Sequence, residues 1–386
     1  MRIVINAYSA RLGGGQTYLI NLLQHLGDFP FQLMIFAPDS LVLPADPRIT
    51  RMRTDWPTTN PLTRAVWEKV LLPRALKRLK ADVLFCPGGV VGTKVPAGCR
   101  VVTMFRNMIP FDPAVRQRVP FGLQRLRNVI LERVMLRSMA NADLVIFISE
   151  FAREVIEKRI KVRRAVTIPH GISDRFRSAS AVGDGVSPWP VNSYFLYVSR
   201  FDVYKHHYEL VEAYARLNEQ TRSRYQLVLI GESDSECAVQ VRQLIAARGL
   251  EGRVIIAGAV KYDQLPAVYR GARLTFFSSS CENCPNILLE ALAAGRPVLS
   301  SSIQPMPEFG GDAVLYYNPR DPADIVARIE QVLSSQSQSD DLGRRAVLRS
   351  EKYNWAATAR ETWLSILGLG NQSETEETTF SMKAMQ

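Results

Sequence analysis

Short apolar runs recur along the chain at residues 2–5, 31–36, 83–86, 101–105, 144–148 and 165–168. Stretches with helical periodicity separate several of them, near 62–79, 121–140 and 150–159. Buried strands alternating with helices predict a doubly wound parallel sheet, whose ligands belong at the carboxyl ends of its strands. The pattern then pauses. Residues 178–193 carry Gly183-Asp-Gly185 and Pro188-Trp-Pro190, a linker composition. It restarts with strands at 194–199, 227–232, 254–258 and 274–277, and with helices at 208–217, 237–248, 265–270, 322–334 and 343–367. The expected organisation is a first domain over 1–178, a linker over 179–193 and a second domain over 194–350. A final helix over 351–370 and a disordered polar tail over 371–386 complete it.

The second half holds the densest chemistry, in residues 278–298. An apolar strand, Leu274-Thr-Phe-Phe277, runs into Ser278-Ser-Ser-Cys-Glu-Asn-Cys-Pro-Asn. Pro285 suits the first position of a helix and Gly295 suits its stop. Glu282 sits in the loop before that helix. Glu290 lies one turn after Asn286, on the same face. The free amides between them, at Asn283, Cys284, Asn286 and Ile287, form an anion site by geometry and helix dipole. The plainer reading is a strand–loop–helix unit with one exposed and one capping acid. Arg200 and Lys205 follow another strand, where two fixed cations suit a diphosphate. In the first half, Gly13-Gly14-Gly15 between a strand and a helix can bring amides against a phosphate. It lacks the third glycine of a dinucleotide fingerprint and the Lys-Ser/Thr of a P-loop, and a tight turn explains it equally.

Composition narrows the picture. The chain has 386 residues, 47% of them hydrophobic and 22% charged, as in ordinary globular proteins. No apolar run approaches the length of a membrane-spanning helix. Met1-Arg-Ile-Val-Ile reads as a first strand rather than a signal peptide. Five scattered cysteines point to reduced thiols and a cytoplasmic setting. Cys281-x-x-Cys284 has no second pair, so no metal is expected. Net charge is uneven. Residues 1–178 carry 28 Lys and Arg against 13 Asp and Glu, whereas the remainder carries 20 against 24. This suggests an anionic partner for the first half. Leu123, Leu126, Ile130 and Val134 fit one helical face in a basic stretch. Two readings stand side by side: a contact with the cytoplasmic leaflet, or a core-facing helix with a solvated basic back.

Glu282 to Glu290 has E-x7-E spacing. With Pro285-Asn286, the Gly295-Arg-Pro-Val298 exit and the Arg200…Lys205 pair, it resembles the signature of the retaining glycosyltransferases of the GT-B fold called family 4. Other segments are similar to that family too: Asn141-Ala-Asp-Leu-Val-Ile-Phe-Ile-Ser149, Pro169-His170-Gly171-Ile172 and Met306-Pro-Glu308-Phe-Gly-Gly-Asp312-Ala. The resemblance covers residues 1–367. It implies an α/β chain of two facing Rossmann-like domains with parallel sheets and an interdomain cleft. It also implies transfer of a sugar, with retention, from a nucleoside-diphosphate sugar (UDP- or GDP-linked) to a hydroxyl of a glycan or lipid-linked acceptor. Glu282, Arg200 and Lys205 would be catalytic. Gly14, Gly15, His170, Asn283, Cys284, Asn286, Ile287 and Glu290 would bind the donor, Glu290 through the ribose. Relatives carry His-Asp where this chain has Arg106-Asn107, which become candidate acceptor- or sugar-side residues. No metal, other cofactor or nucleic acid is implied. The setting would be bacterial surface polysaccharide or glycolipid synthesis, with peripheral contact at an anionic inner membrane face. The alternatives are a catalytically inactive nucleotide-sugar-binding subunit, or another enzyme of the same fold such as an epimerase or phosphorylase.

Overall fold

A computed structural model describes residues 1–11, 13–118, 122–177 and 187–369. Linker residues 179–186 and the expected tail 371–386 lie outside the described residues. Two compact units emerge: Met1–Phe111 with Phe121–Gly171 and Trp355–Gln386, and Asp112–Pro120 with Ile172–Asn354.

The first unit is built on β1 (Arg2–Asn6), β2 (Gln32–Phe36), β3 (Ile49–Met52), β4 (Val83–Cys86), β5 (Arg100–Phe105), β6 (Leu144–Phe147) and β7 (Ala165–Thr167). All pair in parallel, in the order β3-β2-β1-β4-β5-β6-β7. Strands β4 and β6 are buried along their whole length and β1 and β5 at every position after their first arginine, which is why they read as apolar runs. The edge strand β3, Ile-Thr-Arg-Met, is only partly buried and carries no such signal in the sequence.

The second unit holds β8 (Tyr194–Val198), β9 (Gln226–Ile230), β10 (Val254–Gly258), β11 (Leu274–Phe277), β12 (Val298–Ser301) and β13 (Leu315–Tyr317). They form a parallel sheet ordered β10-β9-β8-β11-β12-β13. Strand order therefore reverses between β1 and β4 in the first sheet and between β8 and β11 in the second. In open parallel sheets these switch points open the crevices that take ligands.

Three helical expectations change. The stretch at 62–79 is two helices, Pro61–Val70 and Leu72–Leu79. Pro73 supplies no backbone donor, so it sits in the first turn of a new helix rather than inside a long one. The stretch at 343–367 also divides, into Gln336–Ser350 and Trp355–Leu367. Between them, the guanidinium of Arg177 donates to the carbonyls of Ser350 at 2.8 Å and Tyr353 at 2.5 Å. Finally, Leu123, Leu126, Ile130 and Val134 face outward from helix Leu123–Asn141, at 87%, 56%, 52% and 38% exposure. The core-facing reading of that stripe is therefore wrong. The inward side carries Met135, Ser138 and Met139 instead.

Helix Trp355–Leu367 packs on helix Gly14–Gln24 within the first unit. Trp363 is fully buried with its ring 4.8 Å from that of Phe31, and the hydroxyls of Thr362 and Tyr18 lie 3.4 Å apart. Replacing a buried tryptophan by alanine typically costs about 3–5 kcal/mol. Trp363→Ala should therefore lower the urea midpoint of unfolding strongly, while a change below about 1 kcal/mol would show that this helix is not part of the core.

Candidate active site

Strand register assembles the site in the second unit. Tyr197 of β8 lies beside Phe276 of β11, so the loops leaving these strands start side by side. The β8 loop carries Arg200 and Lys205; the β11 loop carries Ser280 to Asn283. The Lys205 ammonium donates to Glu282 Oε1 at 2.5 Å, with side-chain exposures of 8% and 17%. The rings of Tyr204 and Phe277 lie 5.3 and 5.5 Å from the same ammonium. Such a pair is costly to desolvate and survives only because its geometry is fixed on all sides.

Several contacts do the fixing. The Tyr197 hydroxyl donates to the Lys205 carbonyl at 2.8 Å, and the Ser280 amide donates to the Tyr204 carbonyl at 2.8 Å. His206 stands in the left-handed region at φ 52°, which a residue with a side chain rarely adopts. Its ring bridges the two loops, with Nδ1 3.0 Å from Glu209 and Nε2 2.8 Å from Ser280 Oγ. His207 stacks on Phe201 with ring centroids 4.0 Å apart, and burial followed by the Lys205 charge pushes its pKa down to about 3. It is a neutral packing group. Gly231, at the end of β9, has φ 151°, and any Cβ there would run into the Ser199 carbonyl where the β8 loop begins. The sequence reading missed His206. Its only signal was two adjacent histidines after Lys205, with nothing to mark one as a bridge.

Arg200 is more open. It donates to Asp202 at 2.8 Å and to the Tyr204 hydroxyl at 3.1 Å, with its side chain 55% exposed. The helix after β11 is Asn286–Ala293, with Pro285 as its cap, one position earlier in role than expected. Leu289 donates back to the Pro285 carbonyl at 3.1 Å, and Gly295 stops the helix at φ 71°, as its position suggested. Asn283 is buried, and Cys284, Asn286 and Ile287 are half-buried at the same helix start. Cys281 is buried and burial raises its thiol pKa, so it stays a neutral thiol.

Glu290 accepts a hydrogen bond from the Tyr262 hydroxyl at 3.1 Å. Burial pushes its carboxyl up to about 7, against a smaller lowering by that hydrogen bond. Tyr262 follows β10, is 49% exposed and packs its ring 5.6 Å from Phe176. It too escaped the sequence reading, which placed only a strand at 254–258 in this region.

The candidates of the first unit also gather. The loop after β1 brings Gly14 and Gly15 to the start of helix Gly14–Gln24. An added Cβ on Gly15 would touch the Arg106 guanidinium at 3.5 Å. That guanidinium lies 5.5 Å from the Tyr18 ring, whose other neighbours are His170 at 5.4 Å and Trp355 at 6.2 Å. His170 is 3% exposed and sits 5.5 Å from Trp355. Asn107 accepts from the Ile109 amide at 3.2 Å, which spends its side chain on the local turn. Ser149 caps helix Glu150–Glu157, accepting from the Ala152 amide at 3.1 Å.

Two family models match the chain consecutively: Glycosyltransferase Family 4 over residues 12–176 and Glycosyl transferases group 1 over 190–349. The chain belongs to glycosyltransferase family 4. It is 29% identical over 238 residues to the O-antigen chain mannosyltransferase B of Escherichia coli, a match that spans 60% of this chain and 62% of that one. The chain thus spans less than two thirds of that relative's length. Among solved structures it is similar to sucrose-phosphate synthase of Thermosynechococcus elongatus, with a TM-score of 0.75 at 19% identity, covering 96% and 100% of the two chains. The Anabaena protein HepE, solved with UDP and glucose, gives 0.70 at 15% identity over 95% and 100%. At these identities the likeness establishes the GT-B fold. It accords with the two parallel sheets, which are the Rossmann-like halves expected from the sequence.

The shift at Glu290 carries a prediction whose sign is fixed. Its folded pKa, about 7, lies above the ordinary value of 4.5. The proton is therefore held more tightly by the folded chain, and burial of the ionised form disfavours folding increasingly as pH rises from 4.5 to 7. Without ligand, Glu290→Gln should melt progressively higher than the wild type between pH 5 and pH 8. A melting difference that does not change with pH would refute the burial of this charge.

Proposed function

We propose that the chain transfers a sugar, with retention of its anomeric configuration, from a nucleoside-diphosphate sugar to a hydroxyl of a glycan or lipid-linked acceptor in bacterial surface polysaccharide synthesis. The single observation that carries this reading is the Lys205–Glu282 pair at the carboxyl ends of β8 and β11, at the helix start Asn286. Lys205 and Arg200 neutralise the diphosphate as charge builds on the leaving group, which is electrostatic stabilisation of a transition state. Amides at Asn283, Cys284 and Ile287 add donors to the phosphate or the sugar, whereas the Asn286 amide, expected to be free, donates to the Cys284 carbonyl at 3.0 Å. Glu282 has a carboxylate with which to receive the sugar hydroxyls. Glu290 receives the ribose hydroxyls once ionised, and the exposed ring of Tyr262 beside it offers a face to the base. No carboxylate here is set apart as a nucleophile. The reading has the departing phosphate accept the acceptor proton on the same face, which gives retention.

Within the first unit, Gly14, Gly15, Arg106 and His170 are the candidates for substrate contact. Arg106 cannot act as a base near neutral pH, so its role is to donate hydrogen bonds or hold an anion. The named mannosyltransferase relative favours a mannosyl donor, and the neighbour solved with UDP keeps uridine open beside guanosine. Peripheral contact with an anionic inner membrane face fits the basic first half of the sequence.

The test is sugar release or transfer from UDP- and GDP-mannose, followed by proton NMR. One donor should turn over, its first products should keep their anomeric configuration, and Lys205→Ala should lose about 10²–10³ in rate. An inverted product would remove retention. An undiminished Lys205→Ala rate would remove the assigned site. Binding of the nucleotide without turnover would favour the inactive-subunit alternative.

A further inference from the structure

The outward faces of two helices in the first unit are at odds with an ordinary solvated surface. On Leu123–Asn141 the face away from the sheet presents Leu123, Leu126, Ile130 and Val134, with exposed Arg127, Arg133 and Arg137 among them. A 3.6-residue period places these seven on one side. The helix's one acid, Glu132, lies on the other side, bonded to Arg159 at 2.5 Å. Helix Pro61–Val70 repeats the arrangement. Leu62, Val66 and Val70 are 77%, 48% and 43% exposed beside exposed Lys69, and Trp56 adds a 38% exposed ring. Its one acid, Glu68, is again turned inward, accepting from Asn6 at 2.9 Å.

Both helices cover the same face of the sheet. The β3→β4 and β5→β6 crossovers run in the same direction along the strand order, and right-handed crossovers then put their helices on one side. The loop after β4 touches both. The Val91 amide donates to Ser138 Oγ at 3.0 Å, and Gly92 lies close enough to Glu68 that a Cβ would collide with it.

We propose that this face, helices Pro61–Val70 and Leu123–Asn141 together, docks on an anionic lipid surface, its aliphatic side chains entering the headgroup boundary and its arginines meeting lipid phosphates. The combination decides the occupant. Aliphatic side chains interleaved with cations, and no outward acid on either helix, match the interfacial helix that binds anionic bilayers. A second copy of this face would set arginine against arginine. The inference deepens the membrane contact included in the proposed function and rests on that part of it.

The experiment is flotation of the full chain with vesicles of phosphatidylcholine alone and with added phosphatidylglycerol. Wild type should bind the anionic vesicles, and raised salt should weaken that binding without abolishing it, because the aliphatic part is insensitive to screening. Leu126→Gln/Ile130→Gln should lower the partition at least tenfold, and Arg127→Gln/Arg133→Gln should lower it and reduce its salt dependence. Because all four side chains are exposed, circular dichroism melting and donor hydrolysis should stay at wild-type values. Wild-type binding that both variants retain would overturn the assignment of this face while leaving the membrane contact standing. No binding of wild type to either vesicle, or a protein that pairs through this face in solution, would overturn both.

Discussion

A nearly buried ion pair, Lys205–Glu282, is the contact around which the proposed site of the second unit is built. An ammonium and a carboxylate removed from water lose several kcal/mol of solvation each, and recover it only when both are held in register. The register here is set by the sheet. Parallel pairing of β8 with β11 places the two loops beside each other at the point where strand order reverses. Ser280 and His206 then tie the loops together, and Tyr197 holds the Lys205 backbone to its own strand. The cost of this arrangement is visible in the backbone. His206 takes a conformation natural to glycine, and its two ring bonds hold it there.

Glu290 is a second group whose setting costs stability. A carboxyl whose pKa is pushed up to about 7 by burial is a poor choice for a stable core. It suits the role proposed for Glu290, accepting hydrogen bonds from a polyhydroxyl ligand away from competing water. Glutamine would suit the free protein better. Unfavourable burial of this kind is expected to collect at ligand sites, which accords with the proposed role of Glu290.

Much of the fold was legible in the sequence because buried parallel strands announce themselves. Val83–Cys86 and Val254–Gly258 read as strands from composition alone. Ile49–Met52 did not, because an edge strand with Thr and Arg in it has no apolar run to see. The break in the helical stretch at 343–367 depends on what the backbone meets in space, Arg177 at Ser350 and Tyr353, whereas the break at 62–79 follows from Pro73. In the site, glutamates and basic residues at fixed spacing could be found from the chain alone. His206 and Tyr262 could not, since their meaning lies in partners 74 and 28 residues away. The stripe on Leu123–Asn141 marks a limit of another kind. Periodicity identifies an apolar face but does not say whether anything covers it.

The central claim is that Lys205 faces the diphosphate of a bound donor. Phosphorus NMR of a nucleoside diphosphate titrated with the protein addresses it without needing an acceptor. The β-phosphorus resonance should move on binding to the wild type, and Lys205→Ala should lose most of this movement at matched saturation. An equal β-phosphorus shift in the two proteins would contradict it.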